Sequence, residues 1–173
     1  MDVIRLVEAK VLSVAEKILE VLADGVDFVS FEDQLKKELD NLGCDLLKVV
    51  IEELEEQIFR SQERKRDWKS VHKEDDKEIL TVFGTVRYQR RYYKHKQTNE
   101  YRYLVDEKIG VTPHTRVSAN LKAELSEASS ELSYEGATLQ VSRHNAELKV
   151  SKQTVANCVK TFKAGEAPPP KEK

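Results

Sequence analysis

The stretch EILTVFGTVRYQRRYYKH, at residues 78–95, decides the fold because apolar and polar side chains alternate along it with a period of two. It is rich in Val, Tyr, Phe and Thr, the residue types that strands favour. A second stretch of this character, YRYLVDEKIG at residues 101–110, follows the polar segment KQTNE, which is typical of a hairpin loop. With Gly84 at a turn, residues 78–106 are predicted to form a three-stranded antiparallel meander.

Helical periodicity precedes this meander. Apolar residues recur every three or four positions from Ile4 to Val21 and again from Phe31 to Ile58, with Gly25 between the two runs. Because neither run holds three clean heptads, we favour a helical hairpin within one chain, and a dimeric coiled coil remains the alternative. The sequence thus predicts a helical arm over residues 1–67.

Two residues predict the limits of the second helix in this arm. Ser30 carries a side-chain oxygen that can cap a helix N-terminus, and Asp33 follows three residues later. Gly43 has a low helix propensity and is predicted to break or kink the helix.

Helical periodicity also follows the meander, over residues 113–163. Residues 133–163 are predicted to form a helix-turn-helix whose second helix is capped by Ser151. No Gly lies in the turn, so Asn145 is expected to adopt any left-handed conformation there. The predicted fold is α+β and mostly helical, with these segments: the acidic helical arm at 1–67, a basic β-meander at 68–112, the helical region at 113–163 and a Pro-rich linker at 164–173.

The formal net charge of -2 conceals an uneven distribution along the chain. Residues 1–59 carry 6 basic and 15 acidic groups, a net charge of -9. Residues 60–104 carry 13 basic and 7 acidic groups, a net charge of +6, and residues 105–173 have a net charge of +1. The middle of the chain is therefore the part that attracts a polyanion.

Several classes of protein are excluded by the sequence. No stretch approaches the roughly 18 consecutive apolar residues of a membrane span. The first residues, MDVIRLVEAK, mix charges into the apolar run, unlike a secretion signal, so a cytoplasmic location is expected. Cys44 and Cys158 lie far apart without metal-ligand spacing, which argues against a disulfide framework or a zinc site.

No active site is visible in the sequence either. There is no GxGxxG, Walker or HExxH motif. His72 with Asp75 and Asp76 offers oxygen and nitrogen ligands, but this charged segment before a strand is predicted to be a solvated loop rather than a cation site.

The predicted helix-turn-helix supplies the base-reading candidates. In this motif the second helix enters the major groove and presents the polar residues of its first turns to base edges, here Lys152, Gln153 and Asn157. Gln and Asn form bidentate contacts with adenine, and Lys reaches guanine or phosphate. The capping residue Ser151 and the free N–H groups beside it suit a phosphate. The alternative is an ordinary helical hairpin with a solvated polar face.

Basic residues interleaved with aromatic rings supply the candidate phosphate contacts. On the strand from Thr85 to Tyr93, alternation separates a mostly apolar face from a basic one. The apolar face carries Val86, Tyr88, Arg90 and Tyr92, and the basic face carries Arg87 and Arg91. The alternative is a solvated sheet face with Tyr rings packed beneath it. The predicted phosphate contacts are Arg64, Lys65, Arg66, Arg87, Arg90 and Arg91.

A family resemblance rests on the succession T-x-F-G-x-V, R-x-Y and L-x-D-E, followed by RVSANL, SYEGA and VSKQTV. Its residues are Thr81, Phe83, Gly84, Val86, Arg91, Tyr93, Leu104, Asp106 and Glu107. Over residues 1 to about 163 the chain resembles the N-terminal region of ISLre-type insertion-sequence transposases, which are also grouped as an uncharacterised family of the UPF series. The resemblance implies a DDE-type transposase whose N-terminal part recognises element ends.

The same resemblance implies a metal-dependent nuclease domain further along, and the sequence ends before it. We therefore expect no catalytic residues, no cofactor and no enzymatic activity in this chain, which would be a fragment, a truncated reading frame or a stand-alone relic. The predicted function is a double-stranded DNA-binding module that forms a homodimer through residues 1–59. The alternative is a structural or protein-interaction module that uses the coiled-coil-like arm without binding DNA. A third reading, a nuclease in its own right, requires a cation site that the sequence does not offer.

Overall fold

The computed structural model describes residues 3–23, 25, 27–144 and 148–165 of the chain. Within them the elements follow one another as α1 (Val3–Ala23), α2 (Phe28–Arg60), α3 (Gln62–Asp67), β1 (Trp68–Thr81), β2 (Gly84–His95), β3 (Tyr101–Arg102), α4 (Leu104–Lys108), α5 (Ala119–Glu131), α6 (Tyr134–His144) and α7 (Lys152–Gly165). The predicted α+β class is confirmed, with helices before and after one small sheet. Asn145 and most of the predicted linker lie outside the described residues, and α7 runs two residues into that linker.

The sheet is a meander of order β1-β2-β3 with antiparallel neighbours, as predicted. Its tight turn is stabilised by Thr81, whose hydroxyl accepts from the Phe83 N–H at 3.3 Å and donates to the Gly84 carbonyl at 3.0 Å. Gly84 has φ 133°, which strongly favours glycine. Strand β1 pairs with β2 from Trp68 opposite His95 to Thr81 opposite Gly84.

Two predictions around this sheet are wrong. Residues 68–77, including the charged segment predicted as a loop, belong to β1, because the long β2 supplies partners for them through two shifts of register. The chain after β3 turns into the short helix α4 instead of continuing as a strand. This helical turn buries Val105 and Asp106 beside β2, where an extended chain would separate the two side chains onto opposite faces.

Helices α1 and α2 form the predicted hairpin. Two ion pairs show that they run antiparallel, Lys10 with Asp45 at 2.6 Å and Lys17 with Glu38 at 2.9 Å. The helix α2 begins earlier than expected, since Asp27 rather than Ser30 accepts the N–H groups of its first turn.

Gly43 neither breaks nor ends α2, which continues to Arg60. It instead allows the β1–β2 turn to approach the helix, because a Cβ atom at this position would lie 2.6 Å from the ring of Phe83. The glycine therefore serves close packing and not a change in helix direction.

The described residues form two apolar clusters. One lies between α2 and the sheet and is built from Ile79, Val86, Tyr88 and Val105, with Leu47, Ile51, Leu54 and Ile58 packed against it. The other joins α5, α6 and α7 and is built from Val117, Leu121, Leu125, Ala128, Ala137, Val141, Leu148, Val155 and Cys158. A helix that crosses a lipid bilayer needs an apolar run of about 20 residues. The described ranges contain no such helix.

Candidate nucleic-acid interface

Helices α5, α6 and α7 form a three-helix unit in which each helix contacts the other two. Ser133 joins α5 to α6, and its hydroxyl accepts from the Gly136 N–H at 3.1 Å. Residues 145–151 separate α6 from α7, a longer connection than the roughly three to four residues of a typical helix-turn-helix. Buried residues of these helices, including Ala137, Val141 and Val155, lie in one cluster. The unit thus has the helix order that a helix-turn-helix requires, and residues 145–147 of the connection lie outside the described residues.

The first turns of α7 carry the predicted base-reading residues. The Ser151 hydroxyl accepts from the Thr154 N–H at 3.1 Å, so Ser151 caps the helix as predicted. The Gln153 amide donates to Asn157 Oδ1 at 3.0 Å, and both side chains are exposed. Lys152 lies beside them and forms an exposed ion pair with Glu135 of α6 at 2.8 Å. The structure therefore brings these three candidates together on one exposed surface.

The arginines of β2 have intramolecular partners. Arg87 pairs with Glu78 across the sheet at 2.7 Å, and both side chains are exposed. Arg91 pairs with Glu56 of α2 at 2.8 Å. Arg90 lies inside the protein in an ion pair with Asp106, and its side chain retains only 10% of its exposure. The structure corrects the assignment of Arg90 as a phosphate contact, because alternation directs its guanidinium toward the interior face.

The basic cluster of α3 is also partly engaged. The Arg64 guanidinium lies 4.4 Å from the centre of the Phe59 ring and donates to the Phe59 carbonyl at 2.9 Å. Arg66 pairs with the adjacent Asp67 at 2.8 Å, and Lys65 is exposed. The helix α3 packs against α2 and β1, whereas α7 packs against α5 and α6. The two predicted sets of DNA contacts therefore lie on different packing units.

A groove of about 410 Å³ lies beside α7 and contains basic residues that the sequence analysis missed. His114 and Arg116 come from the segment before α5, and Lys122 comes from α5 itself. We call this the α7 groove, and it is lined by Thr112, His114, Thr115, Arg116, Val117, Lys122, Thr154, Asn157 and Cys158. These basic residues form no run in the sequence, so no local pattern indicated them.

Comparison with known proteins identifies the family. The model of the uncharacterised protein family UPF0236 matches residues 21–172. The chain belongs to the UPF0236 family. UPF0236 protein TTE2489 of Caldanaerobacter subterraneus subsp. tengcongensis is 33% identical over 153 residues, which cover 86% of this chain and 32% of that relative. UPF0236 protein TTE1650/TTE2708 of the same organism is also 33% identical, over 86% of this chain and 30% of the relative.

The UPF0236 chain thus spans about a third of the length of the curated relatives that it matches. No solved structure matches it. The comparisons establish the family alone.

Asp106, one of the residues on which the resemblance rests, has a structural role in this UPF0236 chain. The buried Asp106 carboxylate accepts from the Tyr88 hydroxyl at 2.8 Å and from the Arg90 guanidinium. Burial and this hydrogen bond raise the pKa of Tyr88. Glu107 instead lies at the surface, 3.5 Å from Arg102. Asp106 therefore holds α4 against β2, a role that differs from metal binding.

A second buried carboxylate, Glu55 on α2, lies near the C-terminal end of β2. Glu55 Oε1 accepts from the Tyr93 hydroxyl at 2.5 Å and lies 3.7 Å from Arg91. Burial raises the pKa of Glu55, although Tyr93 and Arg91 favour its charged form. Tyr93 belongs to the face predicted to be basic, and α2 buries it there.

The described ranges contain no group of three or more His, Cys, Asp or Glu side chains placed to hold a metal ion. His72 and Asp75 lie together, with His72 Nδ1 3.1 Å from Asp75 Oδ1, but both stand on β1. The Tyr103 hydroxyl also donates to Asp75, at 3.1 Å. The Asp75 carboxylate is thus used within the fold.

Proposed function

We propose that this chain is a double-stranded DNA-binding module and that α7 is its recognition helix. The observation that carries the proposal is the exposed amide pair of Gln153 and Asn157 at the capped end of α7. An amide side chain can form two hydrogen bonds with adenine in the major groove. A three-helix unit buries the opposite side of α7 through Val155 and Cys158, so the polar residues stand on a rigid support.

The proposed complex follows from these positions. Helix α7 enters the major groove with its N-terminal end nearest the bases, where Gln153 and Asn157 bind adenine. Lys152 breaks its exposed ion pair with Glu135 and contacts guanine or phosphate instead. This change costs little because an exposed ion pair contributes about 0–1 kcal/mol. Ser151 and the N–H groups around it bind a phosphate. Lys65, Arg66, Arg87 and Arg91 remain the predicted outer phosphate contacts.

We further propose that the DNA is the end of a mobile element. The support is the resemblance of the sequence to ISLre-type transposases, together with the greater length of the UPF0236 relatives. Strand cleavage, with the divalent metal that it requires, then belongs to sequence outside residues 1–173. Cys44 and Cys158 are free thiols, which suits the reducing cytoplasm where we propose that the protein acts.

A mobility-shift titration with terminal inverted repeats of an adjacent element and with scrambled duplexes of equal length tests this function. We expect binding of the repeats to be tighter by roughly 10³-fold, and the affinity for both duplexes to fall steeply between about 50 and 200 mM salt. Equal affinity for both duplexes contradicts recognition of element ends. An affinity that does not change with salt contradicts binding through phosphates.

Self-association through the arm is a second proposed property, favoured by the surface of α1. Its side away from α2 exposes Ile4, Val11, Leu12, Leu19 and Leu22 to between 46% and 68%. These residues recur at helical spacing and form one apolar stripe, which a monomer leaves in water. The stripe is also what favours the alternative function, a protein-interaction module.

We propose that a second copy of this chain covers the stripe. The segment Val3–Ala23 carries three basic and three acidic residues, so two copies meet without net repulsion, unlike the acidic α2. Because Arg5 lies near one end of α1 and Glu20 near the other, antiparallel pairing brings opposite charges together. A dimer would present two α7 helices to the two halves of one site.

A further inference from the structure

We propose that the α7 groove binds the DNA phosphate nearest the recognition helix, with Arg116 and Lys122 as its principal contacts. The inference rests on the proposed function and adds to it a set of residues that the basic runs of the sequence did not indicate. Three features carry it: the fixed backbone of the segment 112–118, the charge of the groove, and the sharing of Asn157 with the base-reading surface.

The backbone around Arg116 is fixed to the sheet. The Arg116 carbonyl accepts from the Leu80 N–H of β1 at 2.8 Å, and the Leu80 carbonyl accepts from the Ser118 N–H at 2.8 Å. This short parallel bridge sets Arg116 at the end of the sheet, one residue before the buried Val117. The backbone position of Arg116 is therefore set by the bridge to Leu80 and by the burial of the neighbouring Val117.

The start of the segment is held as firmly. The buried Lys77 donates to the Pro113 carbonyl at 3.0 Å, and the Thr112 and Thr115 hydroxyls share a hydrogen bond of 2.6 Å. The Thr115 N–H donates to the Thr112 carbonyl at 3.0 Å and closes a turn. A segment held in this way loses little conformational entropy on binding, which favours a preorganised contact.

The charge of the groove distinguishes it from the other basic surfaces. Among the residues that the structure describes, its lining includes Arg116, Lys122 and His114 and no carboxylate. Within the described part of the chain, no ion pair involves Arg116 or Lys122, whereas Arg66, Arg87 and Arg91 each have a carboxylate partner. A cation without a partner binds phosphate without first breaking an internal ion pair.

The ammonium of Lys122 acts directly on α7. Burial raises the pKa of the Cys158 thiol, and the charge of Lys122 opposes this rise because it favours the thiolate. Lys122 is half-buried on α5, with Cys158 of α7 in the same groove. Lys122 therefore adds a positive charge to the lining of the groove beside α7.

Asn157 connects the groove to the bases. It lines the groove together with Thr154, and it also accepts from Gln153 on the exposed surface of α7. A phosphate in the groove therefore lies next to the side chain that reads a base. Phosphate contacts of this kind fix the register of a recognition helix and carry no sequence information themselves.

The test compares salt dependence among single variants of the full chain. We expect Arg116→Gln and Lys122→Gln each to weaken binding about tenfold near 100 mM salt, equally on cognate and scrambled duplexes. Each should reduce the slope of log affinity against log salt by about 0.9, the value for one lost phosphate contact. Arg116→Lys, which keeps the charge, should keep the slope.

Lys36→Gln is the matched control, since it removes a surface charge of α2 that lies outside the proposed interface. It should leave the slope unchanged. Wild-type slopes in Arg116→Gln and Lys122→Gln, with a reduced slope in Arg87→Gln, would overturn the proposed role of the α7 groove. The phosphate contacts would then lie on the sheet. Absence of duplex binding by the wild-type chain at all salt concentrations would instead overturn the proposed function itself.

Discussion

Arg90 and Asp106 form an ion pair inside the protein, where their side chains retain 10% and 3% of their exposure. The pair joins the middle of β2 to α4, and the Arg90 guanidinium also lies 3.5 Å from the centre of the Tyr103 ring. A buried charge is tolerated only when it is paired and hydrogen-bonded. We therefore expect the meander and α4 to unfold together, because the ion pair joins them.

Asp106→Asn should lower the free energy of unfolding by about 3–5 kcal/mol, because it leaves the Arg90 charge buried without its partner. Urea denaturation measures the change. Glu78→Gln, which removes the exposed partner of Arg87, is the matched control and should cost under about 1 kcal/mol. Similar losses in the two variants would show that the buried pair has no special weight.

Glu55→Gln should become more stable relative to the wild type as the pH rises. Burial raises the folded-state pKa of Glu55 above the ordinary value of 4.5, so its contribution to stability is largest below pH 4.5 and is lost as the pH rises through the folded-state pKa. Glutamine does not titrate and still offers an oxygen to Tyr93. Free energies of unfolding between about pH 4.5 and 8 measure the trend, and a constant difference between the two proteins contradicts it.

Gly43→Ala should destabilise the protein by about 1–3 kcal/mol, although alanine is the better helix former. The cause is the Phe83 ring, which the new methyl group would meet at 2.6 Å. In a Phe83→Ala background the same substitution should stabilise the protein by up to about 1 kcal/mol, since only the helix propensity remains. Thermal or urea unfolding of the four proteins of this cycle decides the matter, and the same sign in both backgrounds would refute the steric cause.

Gln153→Ala and Asn157→Ala should each weaken binding to the cognate duplex by about 1–3 kcal/mol and leave binding to scrambled duplexes unchanged. Because Gln153 donates to Asn157, the two losses should not add in the double variant. Gln97→Ala, in the exposed hairpin loop, is the control. Equal losses on all duplexes would assign both side chains to positioning rather than base reading.

Replacing Leu12 and Leu19 together by Lys should abolish self-association. These side chains are 63% and 65% exposed, and each contributes about 1.5–3 kcal/mol when a partner buries it, so the dimer Kd should rise at least about 100-fold. Sedimentation velocity over a range of concentrations measures this change. Leu139→Lys, on α6 and 59% exposed, should have no effect. A dimer that survives the double substitution excludes the α1 stripe as the interface.

Regular periodicity is the reason why most of the elements were predictable. The alternation around Val86 and Tyr88 and the helical recurrence from Ile4 to Val21 match strands and helices of the structure. The errors fall where a distant partner decides the conformation. The stretch 68–77 is a strand because β2 pairs with it, and Leu104–Lys108 is helical because Asp106 meets Arg90. No local pattern carries that information.

The candidate site likewise contains residues that the sequence indicated and residues that only the structure brought together. Ser151, Lys152, Gln153 and Asn157 were found from the sequence because a cap and a first turn are adjacent residues. Arg116 and Lys122 were not, because their approach to α7 depends on a bridge from Leu80 and on the packing of α5. Arg90 was misplaced, since a basic run does not show which of its members has a buried counter-charge.

The sequence by itself determined the α+β class, the succession of helical arm, meander and helical region, the acidic arm and the polar start of α7, because each depends on the spacing of neighbouring side chains. Only the tertiary structure decided which charges are available to a partner. For the basic face of β2, whether an arginine pairs with a carboxylate depends on residues 9 to 35 positions away, Glu78 for Arg87 and Glu56 for Arg91. Burial decides how much it costs to break such a pair, and burial is a property of the folded chain alone.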